Sequence, residues 1–527
     1  MQNLLLLADE AIAQGAIDGG LSGVYAYPGT PSTEITEYIQ QSKEAKEKNI
    51  HSQWSVNEKT AMETAMGLSF VGKRALVCMK HVGLNVAADP FMNAAITGIN
   101  GGLLVLSADD PSMHSSQNEQ DSRFYAKFAL LPVLEPSNQQ EAYDMAYEGF
   151  ALSEKIGYPI LLRITTRLAH SRAGIVRRKP VKQNNFNLPI DRKQYILLPA
   201  IARLRYNKLL SSQSIFEDYS EKSTFNQYFD GNNKKMGIIT CGIAYNYVME
   251  NFPNGCDYPL LKIGQYPIPR KKIQKIIDEC ESVLVCEEGY PLVEELLKGF
   301  TGKGLSIKGR LDGTLPRQGE LNPDIVAQAF GMRPNRSTII PQIVKMRPPS
   351  LCQGCGHRDV YEALNDVMKN YPQGRVFSDI GCYTLGALPP FAAIDSCLDM
   401  GASITMAKGA ADGGLIPSVA VIGDSTFTHS GITGLIDVVN EQKAVTIIIS
   451  DNETTAMTGG QQSAGTGKLE AICQAVGVEP NHIRVFVPLK KNYEEMIRII
   501  KEEIDYQGVS VIIPRRECIQ TLKRKKK

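Results

Sequence analysis

The segment IGDSTFTHSGITGLIDVVNEQKAVTIIISDNETTAMTGGQ, residues 422–461, decides the fold of the C-terminal third of this chain. Its pattern predicts a buried strand that ends at Asp424, a helix of about three turns, and a second buried strand that ends at Asn452. These two residues are 28 positions apart, the length of one strand–helix–strand unit. Because parallel strands end at one edge of a sheet, we expect both side chains to emerge there. Carboxylate and amide oxygens suit Mg²⁺, which also takes phosphate oxygens, and Ser425 and Gly431 could meet phosphates at the helix start.

Length and composition restrict the class of protein. The 527 residues predict two to four domains, and 43% hydrophobic with 21% charged residues is an ordinary globular balance. The net charge of +1 gives no reason to expect nucleic acid as a partner, and the basic run 523–527 is expected to be a solvated tail.

The N-terminus and the cysteines indicate the cellular compartment of the protein. The sequence MQNLLLLADEAIAQGA lacks a basic start and a cleavage site, so it predicts an amphipathic helix and not a signal peptide. No apolar run is long enough to span a bilayer, which excludes a membrane partner. Eleven cysteines at scattered spacings argue against a disulfide framework and favour the reducing cytoplasm.

Three segments alternate strand and helix patterns, which predicts an α/β fold with three doubly wound domains. We expect domains at 1–175, 235–335 and 345–527, with a linker at 176–234 that wraps across a surface and contains one helix, LPAIARLRYNKLL. The predicted strands lie in GVYAYPG, RALVCMK, GLLVLSA, YPILLRI, KMGIITCG, YPLLKIG, SVLVCEEG, SVAVIGD, AVTIIISDN and VSVIIP.

The sequence resembles a known family. Gly-Asp followed by Asn after just under thirty residues is similar to the signature of thiamine-diphosphate enzymes, although the family's Gly-Asp-Gly is Gly-Asp-Ser here. The following TTAMTGGQ is similar to the 2-oxoacid:ferredoxin oxidoreductases. In the N-terminal segment, four stretches resemble the pyrimidine-binding half of indolepyruvate:ferredoxin oxidoreductase α subunits: YPGTPSTE, NEKTAMETAMG, MKHVGLNVAADP and ADDPSMHSSQNEQDSRFYA.

The resemblance implies the cofactor and its ligands. Thiamine diphosphate would bind with its pyrimidine on the first domain and its diphosphate on the third, and residues 235–335 would form a transketolase C-terminal-like domain. Mg²⁺ would be held by Asp424, the Asn452 side chain and the Thr454 carbonyl, with Gly423 and Ser425 beside the diphosphate.

The resemblance also implies the catalytic residues. A carboxylic acid in an apolar pocket is needed to hydrogen-bond the pyrimidine ring, and Glu58 matches that position, with Glu63 as its neighbouring competitor. Thr30 matches the position that meets the substrate carboxylate, and Lys80 and His81 could help there.

The pair Cys352 and Cys355, in PSLCQGCGHRDVYEAL, admits several interpretations. A structural zinc ribbon would need a second close Cys-x-x-Cys pair, which the sequence lacks. A thioredoxin-like pair should follow a strand, and KMRPPSL does not resemble one. An iron–sulfur cluster and two buried, inert thiols remain.

The family resemblance favours the cluster. Its members hold a proximal [4Fe-4S] cluster with a Cys-x-x-Cys pair, a cysteine some thirty residues on and a cysteine near the domain end. Cys352, Cys355, Cys382 and Cys518 match that layout, which leaves Cys397 and Cys473 as ordinary thiols.

The implied activity is oxidative decarboxylation of a 2-oxo acid, an aryl pyruvate such as indolepyruvate, to an acyl-CoA. The related α subunits continue into a ferredoxin-like module, whereas this sequence ends at TLKRKKK. We therefore expect electrons to leave through ferredoxin or a similar carrier, and a companion β subunit in a hetero-oligomer built on a homodimer. The alternatives are a non-oxidative thiamine-dependent decarboxylase or carboligase, and a non-catalytic partner subunit.

Overall fold

The computed structural model forms two compact units, Met1–Ile339 and Ile340–Lys527. Strands and helices alternate along both units, which confirms the expected α/β class. The structure describes residues 3–191, 193–298, 306–316, 319–333, 343–344, 350–397, 399–412 and 414–525.

The N-terminal unit contains a seven-stranded, a five-stranded and a two-stranded sheet. Its strands are β1 (Asn3–Leu7), β2 (Gly23–Ala26), β3 (His51–Trp54), β4 (Ala75–Lys80), β5 (Leu103–Asp109), β6 (Val133–Leu134), β7 (Ile160–Thr165), β8 (Arg172–Val176), β9 (Gln227–Phe229), β10 (Gly237–Cys241), β11 (Leu260–Ile263), β12 (Gln265–Tyr266), β13 (Ser282–Cys286) and β14 (Ser306–Lys308).

Helices cover these sheets, so the inner strands are buried on both faces. They are α1 (Ala8–Asp18), α2 (Thr33–Gln41), α3 (Lys43–Glu47), α4 (Glu58–Phe70), α5 (His81–Val86), α6 (Ala88–Thr97), α7 (Ser122–Ala129), α8 (Gln139–Ile156), α9 (Thr166–Ala169), α10 (Pro199–Ser211), α11 (Gln213–Lys222), α12 (Ala244–Met249), α13 (Arg270–Glu279), α14 (Leu292–Lys298) and α15 (Pro323–Ala329).

The seven-stranded sheet has the order β12-β6-β7-β5-β4-β2-β3, and every pair except β12 with β6 is parallel. The five-stranded sheet has the order β14-β13-β10-β11-β9, with only β9 antiparallel. The seven strands predicted in this part of the chain correspond to β2, β4, β5, β7, β10, β11 and β13. Their nearly continuous apolar sequence follows from burial on both faces of a parallel sheet.

The N-terminus differs from the predicted amphipathic helix. Residues Asn3–Leu7 form β1, which pairs antiparallel with β8, and the helix begins only at Ala8. This helix is buried on almost all sides because α2, α8 and α9 pack around it. The prediction was wrong because the pairing partner of the leucine run lies far along the chain.

Backbone hydrogen bonds attach the segment that follows β8 to the N-terminal unit. Backbone N–H groups of Val181 and Asn187 donate to the carbonyls of Asp18 and Val71. The helix predicted in LPAIARLRYNKLL is confirmed as α10, and α11 follows it.

The C-terminal unit is built on one fully parallel sheet of order β15-β16-β17-β21-β20. Its strands are β15 (Arg375–Ser378), β16 (Ser418–Gly423), β17 (Val445–Ser450), β18 (Thr454–Thr455), β19 (Gln461–Gln462), β20 (Ile483–Phe486) and β21 (Val509–Pro514). Its helices are α16 (Gly356–Met368), α17 (Ala402–Asp412), α18 (Asp424–Thr426), α19 (Ile432–Asn440), α20 (Leu469–Ala475), α21 (Tyr493–Asp505) and α22 (Ile519–Lys525).

The helix after β16 is longer than the three turns predicted. A π-helical segment, Phe427–Gly431, joins α18 to α19, so helical structure continues to Asn440. Gly431 lies beyond the helix start, where a Cβ would approach Cδ1 of Ile422 to 2.7 Å. It therefore packs on the core, which corrects its expected place beside the phosphates.

Two remaining expectations concern the surface. Among the helices that the structure describes, none is both long and apolar enough to cross a bilayer. The basic run begins in the exposed last turn of α22, and its residues 526–527 lie outside the described part of the chain.

Candidate active site

Asp424 and Asn452 lie at the same edge of the C-terminal sheet. β16 and β17 are parallel neighbours and pair Gly423 with Ser450 at their ends, one position before Asp424 and two positions before Asn452. Position 423 is glycine for a steric reason: a Cβ there would fall 2.6 Å from Cε1 of Tyr383. The tyrosine ring therefore packs directly against the turn that presents Asp424.

Asp424 has the environment of a cation ligand. Its side chain is buried, and its Oδ2 atom has no hydrogen-bond partner. Burial, and then the negative charge of Asp451, raise the pKa of Asp424 to about 7. A buried carboxylate with an unsatisfied oxygen requires a proton or a cation, so the site fits Mg²⁺.

The loop after Asn452 is held in a defined conformation. The backbone N–H of Thr454 donates to Oδ1 of Asn452 at 3.1 Å, and the Thr454 hydroxyl donates to the Gln461 carbonyl at 2.9 Å. The antiparallel pair β18–β19 closes this loop. The hydroxyls of Ser425 and Thr455 lie 2.9 Å apart, which connects the start of α18 to the same loop.

All four predicted cluster cysteines line one cavity in the C-terminal unit. Cys352 and Cys355 precede α16, Cys382 begins the 3₁₀ helix Cys382–Ala387, and Cys518 follows β21. Residues 345–349, which precede the first pair, lie outside the described residues. Tertiary structure therefore brings together thiols that are up to 166 positions apart.

The thiols influence one another electrostatically. Burial, and then the charges of Cys355, Cys518 and Cys352, raise the pKa of Cys382 to about 12. An iron–sulfur cluster takes thiolate ligands that are distant in sequence, and all four thiols line this one cavity.

Two side chains contact the sulfur atoms. Nδ1 of His357 lies 3.1 Å from Sγ of Cys355, and Nε2 of Gln520 donates to Sγ of Cys352 at 3.2 Å. Burial lowers the pKa of His357 to about 4, so its ring is neutral and can donate to sulfur only as the Nδ1–H tautomer. Sequence reasoning missed both residues, although His357 stands directly after the Cys-Gly pattern.

The other two cysteines of this unit lie elsewhere. Cys473 is buried in a hydrophobic cluster with Ile447 and Leu469. The Cys397 thiol lies 3.8 Å from the carbonyl of Asp379. Neither residue lines the cysteine cavity.

In the N-terminal unit, Glu58 begins α4 and is buried. A Cβ on Gly83 would fall 2.6 Å from Oε1 of Glu58, so the glycine allows α5 to approach this carboxyl group. Glu63, the competitor, is exposed and pairs with Lys59. Of these two residues, Glu58 alone is buried.

Lys80 and His81 lie at the end of β4, beside β2. Burial lowers the pKa of Lys80 to about 8, opposed by the negative charges of Asp110 and Glu58. His81 is buried, with Nε2 3.1 Å from the carbonyl of Asn118 and Nδ1 without a hydrogen-bond partner.

Thr30 lies in the turn after β2, and hydrogen bonds to Ser115 link it to Lys80. Nζ of Lys80 donates to the Ser115 carbonyl at 2.8 Å, and the Ser115 hydroxyl donates to the Thr30 carbonyl at 3.4 Å. The structure thus collects the predicted catalytic residues of this unit around the end of β4.

Two family models match the chain. The model described as pyruvate flavodoxin/ferredoxin oxidoreductase, thiamine diphosphate-binding, matches residues 14–215. The model described as thiamine pyrophosphate enzyme, C-terminal TPP binding domain, matches residues 379–513. The first match contains the residues around β4, and the second contains Asp424 and Asn452.

Solved structures support the fold. The 2-oxoglutarate:ferredoxin oxidoreductase from Magnetococcus marinus aligns with a TM-score of 0.52 at 17% identity, over 62% of this chain and 65% of that chain. At this identity, the likeness concerns the fold alone.

Curated relatives match almost the whole chain. The indolepyruvate oxidoreductase subunits IorA of Methanothermobacter thermautotrophicus and Archaeoglobus fulgidus are both 38% identical over 98% of this chain, covering 87% and 86% of their own lengths. The IorA subunit of Pyrococcus horikoshii is also 38% identical over 98% of this chain and 86% of its own. With such similarity across both units and a thiamine diphosphate-binding model in each, the chain belongs to the IorA family of thiamine-diphosphate-dependent 2-oxoacid:ferredoxin oxidoreductases.

Proposed function

We propose that this chain catalyses the oxidative decarboxylation of an aryl pyruvate, such as indolepyruvate, with CoA as acyl acceptor and ferredoxin as electron acceptor. One 2-oxo acid, one CoA and two oxidised ferredoxins would give one acyl-CoA, one CO₂, two reduced ferredoxins and one proton. The observation that carries the redox part is the cavity in which four cysteines meet beside Asn452. The substrate class rests on the relatives, whose names specify indolepyruvate.

The diphosphate site is assigned to the C-terminal unit. Asp424, the Asn452 side chain and the Thr454 carbonyl would hold Mg²⁺, and Gly423 and Ser425 would lie against the diphosphate. The unsatisfied Oδ2 atom of Asp424 supports this assignment. When bound, thiamine diphosphate supplies the carbon nucleophile for the keto carbon and takes up the electrons that remain as CO₂ leaves.

Glu58 would hold a proton at its carboxyl group and share it with the pyrimidine ring. The support for this role is that Glu58 is buried and that Gly83 allows α5 to approach its carboxyl group. The role also requires that water be excluded, which the exposed Glu63 would not achieve.

The substrate carboxylate would meet Lys80, His81 and Thr30. Lys80 is partly buried, so its positive charge acts at short range in a medium of low polarity. His81 offers a buried ring nitrogen that has no partner. These groups would orient the 2-oxo acid with its carboxylate at the end of β4.

A [4Fe-4S] cluster held by Cys352, Cys355, Cys382 and Cys518 would take up the electrons one at a time. Hydrogen bonds from His357 and Gln520 to the ligand sulfurs would stabilise the additional negative charge of the reduced cluster. Asn452, a proposed magnesium ligand, lines the same cavity as the four cysteines, which supports electron transfer over a short distance.

A second chain completes the proposed enzyme. The relatives are named as subunits, which supports a companion β subunit. We infer a hetero-oligomer built on a homodimer of this chain, with ferredoxin as the external carrier.

The test is anaerobic assay of the chain with its companion subunit, thiamine diphosphate, Mg²⁺, CoA and a low-potential acceptor. A panel would compare indolepyruvate and phenylpyruvate with pyruvate and 2-oxoglutarate. We expect acyl-CoA formation and acceptor reduction to be fastest with the aryl substrates. Aldehyde formation without acceptor reduction would instead indicate a non-oxidative decarboxylase, and absence of turnover despite bound cofactor would indicate a non-catalytic subunit.

A further inference from the structure

Three potential metal ligands from separate segments meet in the N-terminal unit. Asp9 lies in the first turn of α1, Glu34 lies in the first turn of α2, and His170 follows α9. One ligand atom from each lies within 4.8 Å of the other two, and no other such group occurs among the described residues. None of the three is among the proposed catalytic residues.

Asp9 is the residue that points to a bound cation. Its side chain is fully buried, and neither of its carboxylate oxygens has a hydrogen-bond partner. A carboxylate that is buried without a hydrogen-bond partner is strongly unfavourable unless a cation or a proton meets it.

Glu34 and His170 have the spacing of two ligands of one ion. Oε1 of Glu34 lies 3.6 Å from Nε2 of His170, which is too long for a good hydrogen bond. Two ligands of a tetrahedral ion, with bonds of about 2.0–2.1 Å, lie about 3.3 Å apart. A Glu34–His170 ion pair alone would leave Asp9 and Oε2 of Glu34 without partners.

The site also has an entry path. The side chains of Glu34 and His170 are 35% and 37% exposed, so an ion and its remaining water ligands could reach them from solvent. Asp9 would then form the buried base of the site.

We propose that Asp9, Glu34 and His170 bind one divalent first-row transition-metal ion. Two carboxylates balance the charge of such an ion, and a mixed set of two oxygens and one imidazole nitrogen suits Mn²⁺ or Zn²⁺ better than Ca²⁺ or Mg²⁺. The ion joins the starts of α1 and α2 to the end of α9. It therefore stabilises the N-terminal unit, independently of thiamine diphosphate.

Mn²⁺ is the appropriate probe, because it prefers oxygen and nitrogen ligands and avoids the cysteines of the other unit. Binding to the full chain without thiamine diphosphate is measured by calorimetry and by the electron paramagnetic resonance signal of free Mn²⁺. Because the oxygen ligands of the proposed diphosphate site also suit Mn²⁺, binding is measured in the Asp424→Ala background. In that background we expect one site, weakened by at least about 100-fold by Asp9→Asn and by His170→Asn. The exposed-residue controls Glu47→Gln and His51→Asn should leave this site unchanged.

Thermal unfolding gives a second readout, which distinguishes loss of the metal site from misfolding of the variant. Saturating Mn²⁺ should raise the melting temperature of the N-terminal unit by roughly 3–5 °C in the wild type and leave Asp9→Asn unchanged. Without metal, Asp9→Asn should be at least as stable as the wild type, because it removes a buried carboxyl group. Equal Mn²⁺ affinity in the wild type, Asp9→Asn and His170→Asn, or no Mn²⁺ site at all, would overturn the proposal and identify Asp9 as a neutral buried acid.

Discussion

The backbone N–H of Cys518 donates a hydrogen bond to the carbonyl of Asn452 at 3.1 Å. This bond connects a proposed cluster ligand to a proposed magnesium ligand. It forms because β21 and β17 are parallel neighbours that end at the same edge of the sheet. Electrons released at the cofactor would therefore have a short path to the cluster within one unit.

Replacement of the proposed magnesium ligand should abolish cofactor binding. Asp424→Ala removes the negative charge that offsets Mg²⁺, so we expect the affinity for Mg²⁺ and thiamine diphosphate, measured by calorimetry, to fall by about 100-fold or more. Asp437→Ala, an exposed aspartate on α19, is the matched control. Unchanged affinity in Asp424→Ala would refute the diphosphate site.

Glu58→Gln should separate binding from turnover. The amide cannot exchange the proton that the pyrimidine requires, so we expect kcat to fall by about 10²–10⁴-fold while the cofactor still binds. Steady-state kinetics with saturating cofactor measure this change. Glu63→Gln, which alters an exposed residue of the same helix, should retain nearly full activity, and a near-normal rate in Glu58→Gln would assign the role to another residue.

Each of the four cavity cysteines should be needed for the cluster. The anaerobically prepared wild type should contain about four irons per chain and show broad visible absorption. Serine at position 352, 355, 382 or 518 should remove most of the iron and absorption, whereas Cys397→Ser and Cys473→Ser should keep both. Protein that contains thiamine diphosphate but no iron would exclude the redox function.

His357→Phe should lower the reduction potential of the cluster. The substitution removes the N–H group next to Sγ of Cys355, and with it a hydrogen bond that favours the more negative reduced state. Phenylalanine keeps the ring that stacks near Tyr383, so the cavity should remain intact. A redox titration followed by electron paramagnetic resonance measures the shift; His482→Phe is the control, and an equal potential in both variants would contradict the role of His357.

Lys80 should give the reaction a pH dependence. As a cation below its pKa of about 8, Lys80 would bind the substrate carboxylate in the proposed site, so kcat/KM should decline as pH rises through that value. Lys80→Met should lower kcat/KM by roughly 10–100-fold at neutral pH and remove the decline. If the decline persists in the variant, another group causes it.

The lowered pKa of Lys80 also affects stability. Its ordinary value is 10.5, so between about 8 and 10.5 the unfolded chain binds the proton that the folded chain lacks. The stability that the folded chain gains from neutral Lys80 is thus fully present above pH 10.5 and is lost as pH falls through about 8. Lys80→Met should remove this slope from the free energy of unfolding.

The sequence by itself determined the features that are encoded locally. Buried parallel strands require apolar side chains on both faces, so runs such as SVAVIGD and AVTIIISDN predicted β16 and β17 directly. A strand–helix–strand unit fixes where its ends lie, and the positions of Asp424 and Asn452 followed from their spacing alone. The family resemblance added the choice of Glu58 and of the four cysteines.

Tertiary structure alone decided which distant groups meet and which lose contact with water. The leucine run at the N-terminus became a strand because β8, more than 160 residues later, supplies its hydrogen bonds. The contacts of His357 and Gln520 with sulfur, and the meeting of Asp9, Glu34 and His170, depend on segments that no local pattern connects. Periodicity along a chain encodes which face of an element is buried, but desolvation and the proximity of charges arise only when separate elements pack together.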